Sequence, residues 1–425
     1  MNGNDFLQKF GEFVGHLAKK DSAKAQKILT LAFQAKDLQL KWAPGKNLLP
    51  SKQYVAREMM ASMLGCLRHP ERTAMVSLFV PCEPLHSMGL LPYSVEGFSC
   101  YLTGAFSQEP CLVQAAQEGL PETLCSYHRI FLGASGLGIM PKPNLILSTN
   151  LACDANQLTF PRMAQTYQVP HFKLDVPYIQ NEEAVAEVAQ QLRNMTAFLA
   201  EVTGRPFSEE GLKESVSRSR QSVENYRRFL AELGQRYVAG DVTSEMYACF
   251  AFHPLLGTKE TLRFSQLCLE DLKTTPKSRG IRLLWLHTIP FWQDCVRQML
   301  NFQEEVSIVT CDMTYEGLEE PDEDKPYESM ARRLVYSGFN GPASYRIKKA
   351  LQMAEQVQAD GAVFFCHWGC KQTLGAARLV KDSLEQAGLP TLILDGDGCD
   401  PKNSSDGQVQ TRLGAFVEML KKGKS

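Results

Sequence analysis

No run of this 425-residue chain is long and apolar enough to cross a membrane; the longest, such as Leu283–Leu286 and Ala362–Phe365, have the length of a strand. Met1 to Lys20 mixes Asp, Lys and Glu with apolar side chains and lacks a continuous apolar core, so no secretory leader is read there. Neither sign of charge is in excess, since 45 Lys and Arg stand against 47 Asp and Glu for a net −2. A nucleic-acid binder needs a clustered basic surplus, and only the tail Lys421-Lys422-Gly423-Lys424 is basic. Gly133-Ala-Ser-Gly-Leu-Gly138 is glycine-rich, yet it matches neither the dinucleotide fingerprint nor the phosphate loop, and no Walker motif occurs. Asp395-Gly-Asp-Gly-Cys-Asp400 starts like a calcium loop but puts Cys399 and Asp400 where Asp or Asn and then Gly are required. These absences predict a cytoplasmic protein that binds no nucleic acid, no membrane and no nucleotide of its own.

What is present is length, apolar content and cysteine. A chain of this size with 44% apolar residues fills two cores rather than one. Residues 1–72 read as a helical segment, with Phe10, Val14 and Leu17 at helical spacing and a second periodic run from Tyr54 to Leu67. Residues 73–180 alternate strand-like runs (Ala74–Val80, Asn144–Thr149, Phe172–Val176) with helix-compatible stretches. Residues 181–278 are polar, helix-periodic and strandless, which predicts a helical connector. Strand signals return in residues 279–425 at Ile281–Leu286, Val306–Thr310, Gly361–Phe365 and Thr391–Leu394. The expected fold class is α/β: two doubly wound lobes with mostly parallel sheets, an N-terminal helical segment and a helical connector.

Thirteen cysteines in a cytoplasmic chain are not a disulfide framework, and most such thiols are packing residues. Position separates them. Open α/β sheets bind ligands beyond the carboxyl ends of their strands. Cys82, Cys153, Cys311, Cys366, Cys370 and Cys399 all follow predicted strands, and Cys125 lies in a polar loop. Cys66, Cys100, Cys111, Cys249, Cys268 and Cys295 fall in helix-like runs and are expected to pack. Thiolates pooled from two lobes suit zinc or an iron–sulfur cluster. The Cys366-x₃-Cys370 spacing has no second short pair to complete a zinc site. Nucleophilic thiol chemistry at Cys125 or Cys370, with His128 or His367 near in sequence, stays open.

Taken in order, several segments resemble the 2-hydroxyacyl-CoA dehydratase and benzoyl-CoA reductase family, including its double-cubane-cluster branch. They are Val80-Pro-Cys-Glu-Pro84, Gly89-Leu-Leu-Pro92, Leu124-Cys-Ser126, Ala152-Cys-Asp154, Val169-Pro170 with Asp175-Val-Pro177, Ala359–Val363, His367-Trp-Gly-Cys-Lys371 and Gly407-Gln408 with Thr411–Glu418. The resemblance implies a [4Fe–4S] cluster held by Cys125, Cys153 and Cys370, with one iron open. It also implies a separate ATP-hydrolysing iron–sulfur activator, a homodimer or a heterodimer with a homologous subunit, and a small-molecule or acyl-CoA substrate. In the dehydratase members the chemistry runs through a ketyl radical. The additional thiols point to the double-cubane branch, an [8Fe–9S] cluster whose second half would take Cys82, Cys311 and Cys366, with Cys399 in reserve. The expected activity is then reduction of a small molecule. A dehydratase subunit with one cubane and a non-catalytic electron carrier are the alternatives. His128, His367 and Lys371 are expected to donate hydrogen bonds near the cluster, and Glu83 to supply a proton or to cap a helix.

Overall fold

The computed structural model describes residues 3–424. Three helices open the chain: α1 (Gly3–Ala18), α2 (Ser22–Trp42) and α3 (Pro50–Arg68). The Asp21 carboxylate caps α2 by accepting from Lys24 N at 2.9 Å, and Pro50 starts α3 at a position whose amide needs no partner.

The first lobe holds β1 (Thr73–Val76), β2 (Leu91–Ser94), β3 (Leu145–Thr149) and β4 (His171–Leu174), all parallel, in the order β2-β1-β3-β4. Helices α4 (Glu83–Ser87), α5 (Val95–Gly104), α6 (Glu109–Gln117), α7 (Ser126–Gly136) and α8 (Asn156–Tyr167) accompany them. β1 and β3 are buried at every position, which is why they read as short runs rich in apolar residues.

The connector is α9 (Glu182–Thr203), α10 (Glu209–Glu232), α11 (Val242–Ala251) and α12 (Lys259–Leu272). Each begins at a side-chain cap: Asn181, Ser208, Asp241 and Thr258 accept from Ala184, Gly211, Ser244 and Thr261 N. Glu pairs in the first turns of α9 and α10 meet the positive ends of those helices.

The second lobe repeats the plan with β5 (Ile281–Leu286), β6 (Val306–Cys311), β7 (Gly361–His367) and β8 (Thr391–Gly396), all parallel, ordered β6-β5-β7-β8. One apolar core runs without a break from Val76 and Leu147 of the first sheet to Trp285 and Phe365 of the second. Among the described residues, no helix is long and apolar enough to cross a membrane.

Candidate functional site

In both sheets the strand order reverses at one place, between β1 and β3 and between β5 and β7. Crevices open at such points beyond the carboxyl ends of the strands. Here the two crevices meet in one cavity of about 120 Å³. Its walls come from the residues after β1 (Leu78, Phe79), β3 (Ala152, Cys153), β5 (His287–Ile289) and β7 (Cys370), from Cys311 and His367 at the ends of β6 and β7, and from Cys125 and His128 around the start of α7.

Cys125, Cys153 and Cys370 all line it. Cys125 occupies the position just before α7, Cys153 lies between β3 and α8, and Cys370 occupies the position just before the short helix Lys371–Leu374. Gly369, at φ +79, lets these segments touch, because a Cβ there would lie 2.7 Å from Thr123 O and 2.8 Å from Cys125 N. Burial raises the Cys125 thiol, and the nearby Cys153, Cys370 and Asp397 raise it further. Cys153 is pushed up to about 12, by burial first and Cys370 second. Three thiolates facing one another are therefore unfavourable without a cationic group among them, whose binding would release their protons.

Two histidines each contact one of these sulfurs, and their tautomers follow from their other partners. Gly398 N donates to His367 Nδ1 at 2.9 Å, so Nε2 carries the hydrogen and points it at Cys125 Sγ, 3.1 Å away. Thr159 Oγ1 donates to Ala155 O and so accepts from His128 Nδ1 at 3.0 Å. His128 Nε2 is then the acceptor facing Cys153 Sγ at 3.4 Å. Burial first, and the neighbouring His367 second, lower His128 to about 3, which keeps it neutral. The pairing crosses the one suggested by sequence proximity, since Cys125 meets the histidine 242 residues away.

Other cavity residues were not singled out from the sequence. Glu96, on α5, accepts from Leu78 N and from Ser94 Oγ, and burial raises it to about 7. His287 sits just past β5 at φ +80, a region costly for a side chain with a Cβ. Its backbone N–H is fixed to Asp312 Oδ1 at 2.6 Å, and Asp312 is ion-paired at 2.6 Å with buried Arg346. Among the described residues its Nδ1 has no hydrogen-bond partner. Cys249, read as packing, lines the cavity from α11. The one available signal was for His287, a polar residue ending an apolar strand before a Pro-containing loop.

Several expected site residues lie elsewhere. Cys82 is fully buried beside Leu85 in the continuous core, its thiol donating to Val80 O at 3.2 Å. β7 runs two residues past the predicted strand, so Cys366 lies inside it. Alternation turns its side chain to the face of Leu284, Leu286 and Phe364, and burial pushes its thiol up to about 12. Cys311 borders the cavity, with its thiol donating to His287 O at 3.0 Å. Cys399 packs in the other large core of the first lobe. Burial would raise the Glu83 carboxyl, but Arg333 outweighs it with two hydrogen bonds, 2.7 and 2.9 Å, and holds it ionised away from the cavity. Lys371 is exposed and paired with Asp154 at 3.3 Å.

Among the described residues no three His, Cys, Asp or Glu side chains are close enough to share one metal ion. Three thiols spread around a cavity suit a group of several metal atoms, each taking one thiolate. The donors are soft, and a backbone N–H or an imidazole N–H meets the sulfur of Cys125.

Two parallel-sheet lobes closing a three-thiol pocket define a class: two-lobed α/β proteins with a cysteine-lined cavity at their joint. Residues 77–420 match the family described as 2-hydroxyglutaryl-CoA dehydratase, D-component, and the chain belongs to that family. It is 26% identical over 339 residues to the lactoyl-CoA dehydratase subunit alpha of Anaerotignum propionicum, covering 73% of this chain and 75% of that protein. It is 23% identical over 319 residues to the (R)-2-hydroxyglutaryl-CoA dehydratase subunit alpha of Acidaminococcus fermentans (67% and 63%). Against a benzoyl-CoA reductase subunit of Thauera aromatica it is 20% identical over 354 residues (74% and 80%).

Proposed function

We propose that the chain is the cluster-bearing subunit of a 2-hydroxyacyl-CoA dehydratase-type enzyme. It holds one [4Fe–4S] cluster on Cys125, Cys153 and Cys370, and takes electrons from a separate ATP-hydrolysing activator. The observation that carries this reading is the presence of those three thiols around one cavity at the joint of the lobes. A bound cluster with three protein thiolates supplies a low-potential electron and an open iron that polarises a carbonyl oxygen. The chain's own residues do the rest. His367 Nε2–H stabilises charge on the Cys125 sulfur. The Glu96 carboxyl, poised at about 7, holds or releases a proton inside the cavity. Phe79, Phe250 and Phe339 exclude water from the wall facing substrate.

Of the thiols that a second reading, the double-cubane reductase, assigns to its second half (Cys82, Cys311 and Cys366), Cys311 borders the same cavity, with Cys249 as a further thiol there. Counting iron and acid-labile sulfide in anaerobically purified protein separates the two. The one-cubane reading expects about four irons per chain and the double-cubane reading about eight. Cys125→Ser, Cys153→Ser or Cys370→Ser should each strip most of the iron, while Cys82→Ser and Cys366→Ser leave it in place. Full iron in the first three variants would end both readings.

A further inference from the structure

A second pair of thiols meets at the seam between the lobes. Cys100 lies on α5 in the first lobe and Cys399 in the loop after β8 in the second. Thr103 Oγ1, one turn beyond Cys100 on α5, donates to Cys399 O at 3.4 Å, which holds that loop against the helix. Cys399 and Tyr127 belong to one apolar core of the first lobe and Cys100 packs against it; after burial, Cys100 is the largest influence raising the Cys399 thiol. Cys100 is partly exposed and Cys399 is fully buried. Neither sulfur lines the cluster cavity.

We propose that Cys100 and Cys399 are a dithiol modification site, oxidised to an inter-lobe disulfide by a low-molecular-weight disulfide. The partly exposed Cys100 thiolate attacks one sulfur of oxidised glutathione, breaking its S–S bond and releasing one glutathione thiolate. Cys399 then attacks the Cys100 sulfur, displaces the second glutathione and gives its proton to that leaving thiolate. The two protein thiols lose two electrons, and oxidised glutathione is reduced to two thiols. The bond lands where it matters for the cavity. Glu96, Cys100 and Thr103 share one face of α5, and Glu96 reaches the cavity from it. The neighbour of Cys399, Gly398, gives the N–H that orients His367. Oxidation therefore ties the helix carrying the cavity carboxylate to the loop that sets the hydrogen bond on Cys125.

The test treats anaerobically purified protein with oxidised glutathione, then denatures it without reductant, alkylates it and maps the peptides by mass. The expected result is that most Cys100 and Cys399 is recovered as one linked pair, while Cys66, Cys111 and Cys268 are alkylated. Recovery of both thiols alkylated, or of Cys100 as a lasting glutathione adduct beside free Cys399, overturns the proposal. Cys399→Ala gives an independent check, because without its partner Cys100 should retain one glutathione per chain. No adduct there overturns it too.

Discussion

At the scale of single residues, the Glu83 and Glu96 carboxyls of the first lobe have opposite fates, set by their neighbours. Glu83 has a guanidinium across both oxygens and Ser219 Oγ donating at 3.1 Å, so its charge is structural. Glu83→Gln should cost about 3–5 kcal/mol in a denaturant titration by leaving Arg333 buried without its partner, with iron content unchanged. Glu83→Gln with Arg333→Met should regain most of that loss. Glu96 has no cation beside it, and burial lifts it from 4.5 to about 7. Between those values the folded chain keeps a proton that the unfolded chain has lost, so stability should fall as pH rises through the window and level off above it. Glu96→Gln should flatten that slope. A slope identical in the variant would remove Glu96 as its source. The histidine on Cys125 is open to a spectroscopic check. If the proposed cluster is bound, His367→Leu should keep the iron but move the midpoint potential to a more negative value, because an N–H to sulfur favours the more reduced state. The hydrogen bond from His367 is expected from the sequence, but the two carboxylate roles are not visible along the chain, where Glu83 and Glu96 are both acids near a helix start.

At the scale of elements, Gly369 joins the fold to the site. A methyl group there meets the backbone of Thr123 and Cys125 and forces a positive φ on a residue with a Cβ. Gly369→Ala should therefore cost about 1–3 kcal/mol and lower iron occupancy together, read by thermal melts and metal analysis. The sequence reading caught the strands that are buried on both faces, because β3, β5 and β7 contain the apolar runs Leu145–Leu147, Leu283–Leu286 and Ala362–Phe365. It missed β2, whose Pro92 is tolerated only because β2 is an edge strand paired with β1 alone. It overran β1: after Val76 the chain bends away, which delivers Leu78 and Phe79 to the cavity. It stopped β7 early, although Cys366 and His367 still pair with Asp395 and Gly396 of β8. Strand-end position thus marked Cys153 and Cys370 for the cavity but misdirected Cys82 and Cys366. Thiol orientation depends on alternation and turns that composition does not record. Cys249 and Glu96 were illegible for a related reason: helical periodicity reads as packing whichever cavity the helix faces.

At the scale of the whole molecule, the site exists only while the lobes stay joined, and a single buried aspartate dominates the joint. Asp397 accepts from Ser126 Oγ of α7 at 2.5 Å and from Asn403 Nδ2 and the Cys399 and Asp400 amides of its own loop. Beside it Arg129, also on α7, pairs with Asp400 at 3.2 Å. The helix that Cys125 precedes is thereby bolted to the loop that orients His367, across 271 residues of sequence. Three of the four tryptophans, Trp285, Trp292 and Trp368, report on the second lobe, whereas far-ultraviolet circular dichroism reports on the helices throughout. In the wild type the two signals should unfold together, because one apolar core spans both sheets. Asp397→Ala leaves buried donors unmet on both sides of the seam and should cost about 3 kcal/mol. It should also split the transitions, with tryptophan fluorescence changing before the bulk of the helical signal, and release iron at the first step. Coincident transitions with iron retained in that variant would mean that the shared apolar core, rather than this polar seam, holds Cys125 and Cys370 at the same cavity.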